Sequence, residues 1–124
     1  MKQPNLLFDE KSYYKLKGYC VHEPSYESFY EPGQILKFQF ELKNNSPFSN
    51  WAHSMISLKQ FEGSKMAFQS SRNAHVVKFD ETCTITVTLR APENPGKCFG
   101  LFKICYNDDY MFGETVSICF TVKG

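Results

Sequence analysis

Residues Glu81-Thr82-Cys83-Thr84-Ile85-Thr86-Val87-Thr88-Leu89 alternate without a fault. Cys83, Ile85, Val87 and Leu89 fall on one side, and Thr82, Thr84, Thr86 and Thr88 on the other. Successive side chains of a pleated backbone leave opposite faces, so the stretch predicts an antiparallel strand with one face buried. The same period recurs on both sides of it. Ile35 to Lys43 sets Leu36, Phe38, Phe40 and Leu42 against Lys37, Gln39 and Glu41. Cys98 to Tyr106 places Gly100, Phe102, Ile104 and Tyr106 on the inner set, and Thr115 to Val122 does so with Val116, Ile118, Phe120 and Val122. Shorter strands are expected at Lys17–His22, Met55–Phe61 and Lys65–Gln69.

Turn chemistry separates these runs. Glu31-Pro32-Gly33, Asn44-Asn45-Ser46-Pro47, Ala91-Pro92-Glu93-Asn94-Pro95-Gly96 and Asn107-Asp108-Asp109 lie between strands, and Glu62-Gly63-Ser64 predicts a hairpin. Proline fixes its own torsion and glycine accepts positive φ, so such clusters end ladders. Seven short strands with turns every ~8–12 residues indicate an all-β, immunoglobulin-like antiparallel β-sandwich, with a small barrel as the alternative. Residues 1–14 form a lead-in outside the pattern, and residues 15–124 form a single domain.

Composition narrows the function classes. The chain has 124 residues, 14 Lys+Arg against 13 Asp+Glu, and a net charge of +1. That balance is no footprint for a nucleic-acid backbone or an anionic membrane. No stretch approaches the ~18 consecutive apolar residues of a membrane-spanning helix. Leu6-Leu7-Phe8 is stopped by Asp9-Glu10-Lys11, short of a secretory signal, and the five cysteines are odd in number without a CxxC pair. Reduced thiols and a cytoplasmic location are therefore expected.

Reactive groupings are sparse. The sequence holds no phosphate-cradling glycine loop, no GxSxG elbow and no HExxH, and His22, His53 and His75 stand singly. Nothing in the spacing pairs Cys83 or Cys98 with a histidine base. Asp108 and Asp109 are explained by turn formation. The reading is a non-enzyme with no cofactor and no metal.

Several longer pieces together are specific. Ser28–Lys43 (SFYEPGQILKFQFELK), continuing into Asn44 and on to Trp51, is followed by TITVTLRAPENPGKCFGLFKI and then FGETVSICFTV. Over about residues 17–123 the chain resembles the four-tryptophan (FW) immunoglobulin-like domain of the next-to-breast-cancer-gene family of selective autophagy receptors. Pro32-Gly33 matches that family's first turn, Lys43-Asn44 the end of its first tryptophan strand, and Trp51 its second tryptophan. Ala91-Pro92 and Pro95-Gly96 match the joint before the third, Lys103 the basic residue after it, and Phe112-Gly113 the late turn. Phe40, Phe102 and Ser117 stand where the family carries its other three tryptophans. The resemblance implies large aromatics in the core at Phe40 and Phe102, and the loss of an outward aromatic at Ser117.

A sandwich without reactive chemistry offers sheet edges and end loops for binding proteins or peptides. Candidate partner-binding residues are Trp51, Asn44, Tyr106, Tyr110 and Phe112. Trp51 either packs over the end of the sandwich or walls a partner pocket, and the same choice holds for the aromatics around the 107–109 turn. Tyr13-Tyr14-Lys15-Leu16 fits the loose aromatic-x-x-aliphatic motif read by ubiquitin-like autophagy modifiers, with Tyr13 and Leu16 as its anchors. The functional expectation is a non-catalytic protein-interaction module recognising cargo in selective autophagy. The alternative is a structural subunit clamped in a cytoskeletal or ciliary assembly.

Overall fold

A computed structural model describes residues 15–124. Seven strands run in chain order: β1 (Gly18–His22), β2 (Ile35–Asn44), β3 (Ile56–Gly63), β4 (Phe68–Ser70), β5 (Thr82–Arg90), β6 (Gly96–Tyr106) and β7 (Tyr110–Val122). They form a four-stranded sheet, β1-β2-β5-β4, and a three-stranded sheet, β3-β6-β7, with every named pairing antiparallel. This is the strand order of a constant-type immunoglobulin sandwich.

The alternating residues do what their period demands. Leu36, Phe38, Phe40 and Leu42 of β2 and Cys83, Ile85, Val87 and Leu89 of β5 are all buried, as are Val116, Ile118, Phe120 and Val122 of β7. Phe40 and Phe102 lie fully inside the core, so phenylalanine fills both positions with a large aromatic. Of the cysteines, Cys83, Cys98 and Cys105 are buried, Cys20 is half-buried and Cys119 is exposed.

Three local expectations are corrected. The predicted hairpin at Glu62-Gly63-Ser64 does not form, because β3 pairs with β6 and β4 with β5 in the other sheet. Gly63 is the last ladder residue opposite Gly100, and the Ser64 amide continues the ladder by donating to the Phe99 carbonyl at 2.6 Å. The short fourth strand covers Phe68–Ser70, not 65–69. Phe112-Gly113 is no turn but lies inside β7, which begins at Tyr110. Lys103 pairs with Thr115 and Ile104 with Phe112, so Gly113 and Glu114 bulge out of the ladder. Gly113 has φ +78°, and a Cβ there would meet the Gly18 carbonyl oxygen at 2.7 Å, which is why glycine occupies the bulge beside β1.

Gly18 is tight for a different reason. A Cβ on it would sit 2.5 Å from Trp51 Cζ2 and 2.9 Å from Ile104 Cδ1. Gly18→Ala is expected to cost about 1–3 kcal/mol through overpacking, read as a lower urea midpoint at unchanged slope.

Candidate protein-interaction site

The β2–β3 loop (45–55), the β4–β5 loop (71–81) and the β6–β7 turn (107–109) lie together at one end of the sandwich. All four non-glycine residues with positive φ among the described residues sit there: Ser54, Asp80, Asn107 and Asp108. Left-handed backbone persists only where surrounding contacts fix it, and it concentrates at functional surfaces. The contacts here are explicit.

Asn44, at the end of β2, is fully buried. Its Nδ2 donates to the carbonyls of Ser49 at 3.0 Å and Val77 at 2.8 Å, while its Oδ1 accepts from the Ser46 amide at 2.8 Å. The Asn44 carbonyl accepts from the Asp80 amide at 2.6 Å. Asn73 does the same work one loop over. Its Oδ1 accepts from the Ile56 amide at 2.8 Å, and its Nδ2 donates to Ala52 O at 2.9 Å and His75 O at 2.7 Å. Trp51 and Val77 exchange both main-chain bonds at 2.9 Å. Arg72 Nη2 reaches Asp108 Oδ1 at 2.6 Å, and Lys43 Nζ meets Asp80 Oδ1 at 3.1 Å.

On this braced frame stand three exposed apolar side chains, Phe48 (80% exposed), Phe79 (54%) and Val76 (43%). Each adjoins a peptide unit bonded to Asn44: Phe48 beside Ser49, Val76 beside Val77, and Phe79 beside Asp80. Asn44 therefore reaches all three, the first two through its side-chain amide and the third through its main-chain carbonyl. Loop order of this kind lowers the entropy a partner must overcome on binding. The sequence reading missed them because apolar residues in connecting loops carry no period. Their only signal was size and hydrophobicity inside turn-rich segments.

The expected site residues fall in different places. Trp51 has 0% exposure and Asn44 likewise, and Phe112 is buried, so none of them can touch a partner directly. They brace the surface from beneath. Trp51 meets Phe112 edge-on at 5.9 Å, and Tyr110 stacks on Phe112 at 6.3 Å. Tyr106 and Tyr110 pair across the turn and remain half-exposed. Tyr13 lies outside the described residues. Leu16 is 8% exposed in the hydrophobic core, so an aliphatic anchor for a ubiquitin-like modifier is not on offer there. Ser117 faces outward on β7 opposite Leu101, its carbonyl taken by the Tyr26 hydroxyl at 3.0 Å.

Burial pushes the Cys83 thiol up to about 11, and burial with nearby Glu23 and Glu114 does the same for Cys20. Burial also raises the Cys98 and Cys105 thiols. These are not thiolates at neutral pH, which is the opposite of what nucleophilic catalysis requires. Among the described residues no cluster of three or more His, Cys, Asp or Glu side chains could hold a metal ion. Because folding raises the pKa of Cys20 and Cys83 from 9.0, the unfolded chain loses protons first as pH rises. Stability is then full below about pH 9 and declines toward about pH 11. Urea midpoints at pH 8 and 10.5 are expected to fall in that order, and Cys119 is expected to be the fast thiol in a native-state disulfide-exchange titration.

Residues 25–122 match the family described as the Ig-like domain from next to BRCA1 gene. The chain belongs to this family. Membership of an Ig-like domain family supports a protein-interaction module, in keeping with the braced apolar loop end. The fold is also similar to that of a conjugative transposon lipoprotein from Bacteroides eggerthii, with a TM-score of 0.44 and 17% identity over 86% of this chain and 97% of the other. No curated protein matches significantly in sequence.

Proposed function

We propose that this domain is a non-catalytic interaction module that grips a partner protein through Phe48, Val76 and Phe79, and that the partner is cargo of selective autophagy in the cytoplasm. The observation that carries the reading is the fully buried Asn44, whose side-chain amide and main-chain carbonyl together bond the peptide units beside all three exposed side chains. Exposed aromatics on ordered loops offer large contact area at small entropic cost. Family membership supports a module that binds proteins. The free thiols suit a reducing compartment.

The test uses the immobilised chain and its Phe48→Asp/Phe79→Asp variant in parallel. Both positions are solvent-facing, so the variant should melt within about 2 °C of wild type. Proteins retained from cytosol should fall about tenfold or more with the variant, and should accumulate when lysosomal degradation is blocked. Identical retention by both baits would remove the loop end from the mechanism.

A second reading, a subunit clamped in a larger assembly, is favoured by further exposed apolar side chains away from this end, Phe29, Phe61 and Phe99 among them. Self-association of the purified chain on size exclusion would support it.

A further inference from the structure

β2 is ten residues long, yet β1 pairs only with its last four, Glu41 to Asn44. His22 is the final β1 residue in register, and Pro24, two positions on, has no N–H to continue the ladder. The chain then leaves this sheet. Tyr30 bonds instead to β7, its amide donating to Thr121 O at 2.9 Å and its carbonyl accepting from the Lys123 amide at 2.7 Å. Among the described residues, Ile35 to Gln39 therefore has β5 on one side and no strand on the other.

The ladder's parity decides which groups are left open. Gln34 O accepts from Ala91 N at one end, and Asn44 N donates to Glu81 O at the other. Alternate residues of an antiparallel strand bond to the same neighbour. Even-numbered Leu36, Phe38 and Phe40 thus serve β5, while Ile35, Lys37 and Gln39 turn their N–H and C=O groups to the open side. No hydrogen bond from another described residue reaches those groups from that side.

Beside this open edge runs a groove of about 400 Å³, lined by Tyr26, Glu27, Tyr30, Leu36 and Phe38. Tyr26 is pinned by its hydroxyl on Ser117 O at 3.0 Å, and its ring lies 5.0 Å from that of Phe38. On the outer face Lys37 is exposed, has no ion pair among the described residues, and sits across from Thr88.

We propose that this edge takes up an extended segment of a partner protein as an added β-strand. The segment alternates apolar and acidic residues, with the apolar side chains turned toward Tyr26 and Phe38 and an acidic one beside Lys37. Open main-chain groups at every second residue match an extended backbone, whose own groups repeat at the same interval. Opposite charges on neighbouring strands stabilise the pair and like charges oppose it. A second copy of this chain is disfavoured for that reason, since two β2 edges paired about their centre would set Lys37 against Lys37. This surface is separate from the loop end and stands whether or not that reading holds.

The probe is a peptide of about nine residues alternating valine and glutamate, titrated into the isotope-labelled full chain and followed by amide resonances. Shifts should concentrate at Ile35, Lys37, Gln39 and Tyr26, with amide exchange at the first three slowed about tenfold or more. The same peptide N-methylated at every second residue should bind about tenfold more weakly or worse, because it cannot complete the main-chain bonds. Lys37→Glu should weaken the valine–glutamate peptide similarly and favour a valine–lysine peptide, while Phe48→Asp/Phe79→Asp should leave both unchanged. Equal binding of the N-methylated peptide, or no binding up to about 1 mM, would overturn the proposal. So would edge amides already slow in the free chain that become fast when residues 1–14 are deleted, because the chain's own lead-in would then occupy the edge.

Discussion

Trp51→Ala is expected to cut sharply into the domain's margin of stability at 37 °C. The indole is fully buried, packs flush over Gly18 and meets Phe112 edge-on. Truncating a buried tryptophan costs about 3–5 kcal/mol, a large share of the roughly 5–15 kcal/mol that holds a domain together. One term works against the loss. Trp51 Nε1 is buried with no hydrogen-bond partner among the described residues, so removing it also removes a donor they leave unsatisfied. Trp51→Phe should therefore cost clearly less than Trp51→Ala, since it keeps an aromatic ring over Gly18 and discards only the orphaned group with part of the volume. Urea unfolding of the three proteins orders them directly. A binding loss at Trp51→Phe with unchanged stability would instead mean that the indole touches the partner, against its burial.

The strands were legible because their chemistry is local. Alternation at Leu36–Leu42 and Cys83–Leu89 fixes which side chains point inward, and both sets are in the core. Alternation does not name the neighbour, so it cannot show that β3 pairs with β6 while β4 joins β5. Glycine spacing was ambiguous for the same reason. Gly113 after Phe112 reads as a turn, but its role as a bulge depends on Gly18, far away in sequence. The site was harder still. Trp51 stands among Ser49, Asn50 and His53, a context that leaves packing over the sandwich end and walling a pocket both open, and its main-chain pairing with Val77 decides for the interior. Val76 and Val77 are adjacent and identical, one exposed and one buried, and only the bridge to Trp51 distinguishes them. The Lys43-Asn44 dipeptide was visible as a motif. Its meaning came from Asp80, Ser49 and Val77, which the sequence places several to more than thirty residues away.

Asn44→Asp should be the most damaging change that preserves side-chain shape. The native Nδ2 donates to two carbonyls at 3.0 and 2.8 Å in a fully buried position. A carboxylate there would turn oxygens toward both acceptors, and a buried charge facing unpaired dipoles is among the costlier defects in a core. Protonation relieves it, so the introduced carboxyl would titrate above its unfolded value. The folded variant then holds the proton longer than the unfolded chain, and its stability should fall as pH rises from about 4 to 7. Asn44→Ala takes the partner from the Ser49 carbonyl and the Ser46 amide at about 1–3 kcal/mol each, while the Val77 carbonyl keeps the Trp51 amide, and should show no such slope. Unfolding midpoints at pH 4.5 and 7 separate the two mechanisms. Because Ser49, Val77 and Asp80 adjoin the three exposed apolar residues, both variants should also weaken partner binding under conditions where they stay folded. A variant that is destabilised yet binds with native affinity would show that the loop frame does not position Phe48, Val76 and Phe79.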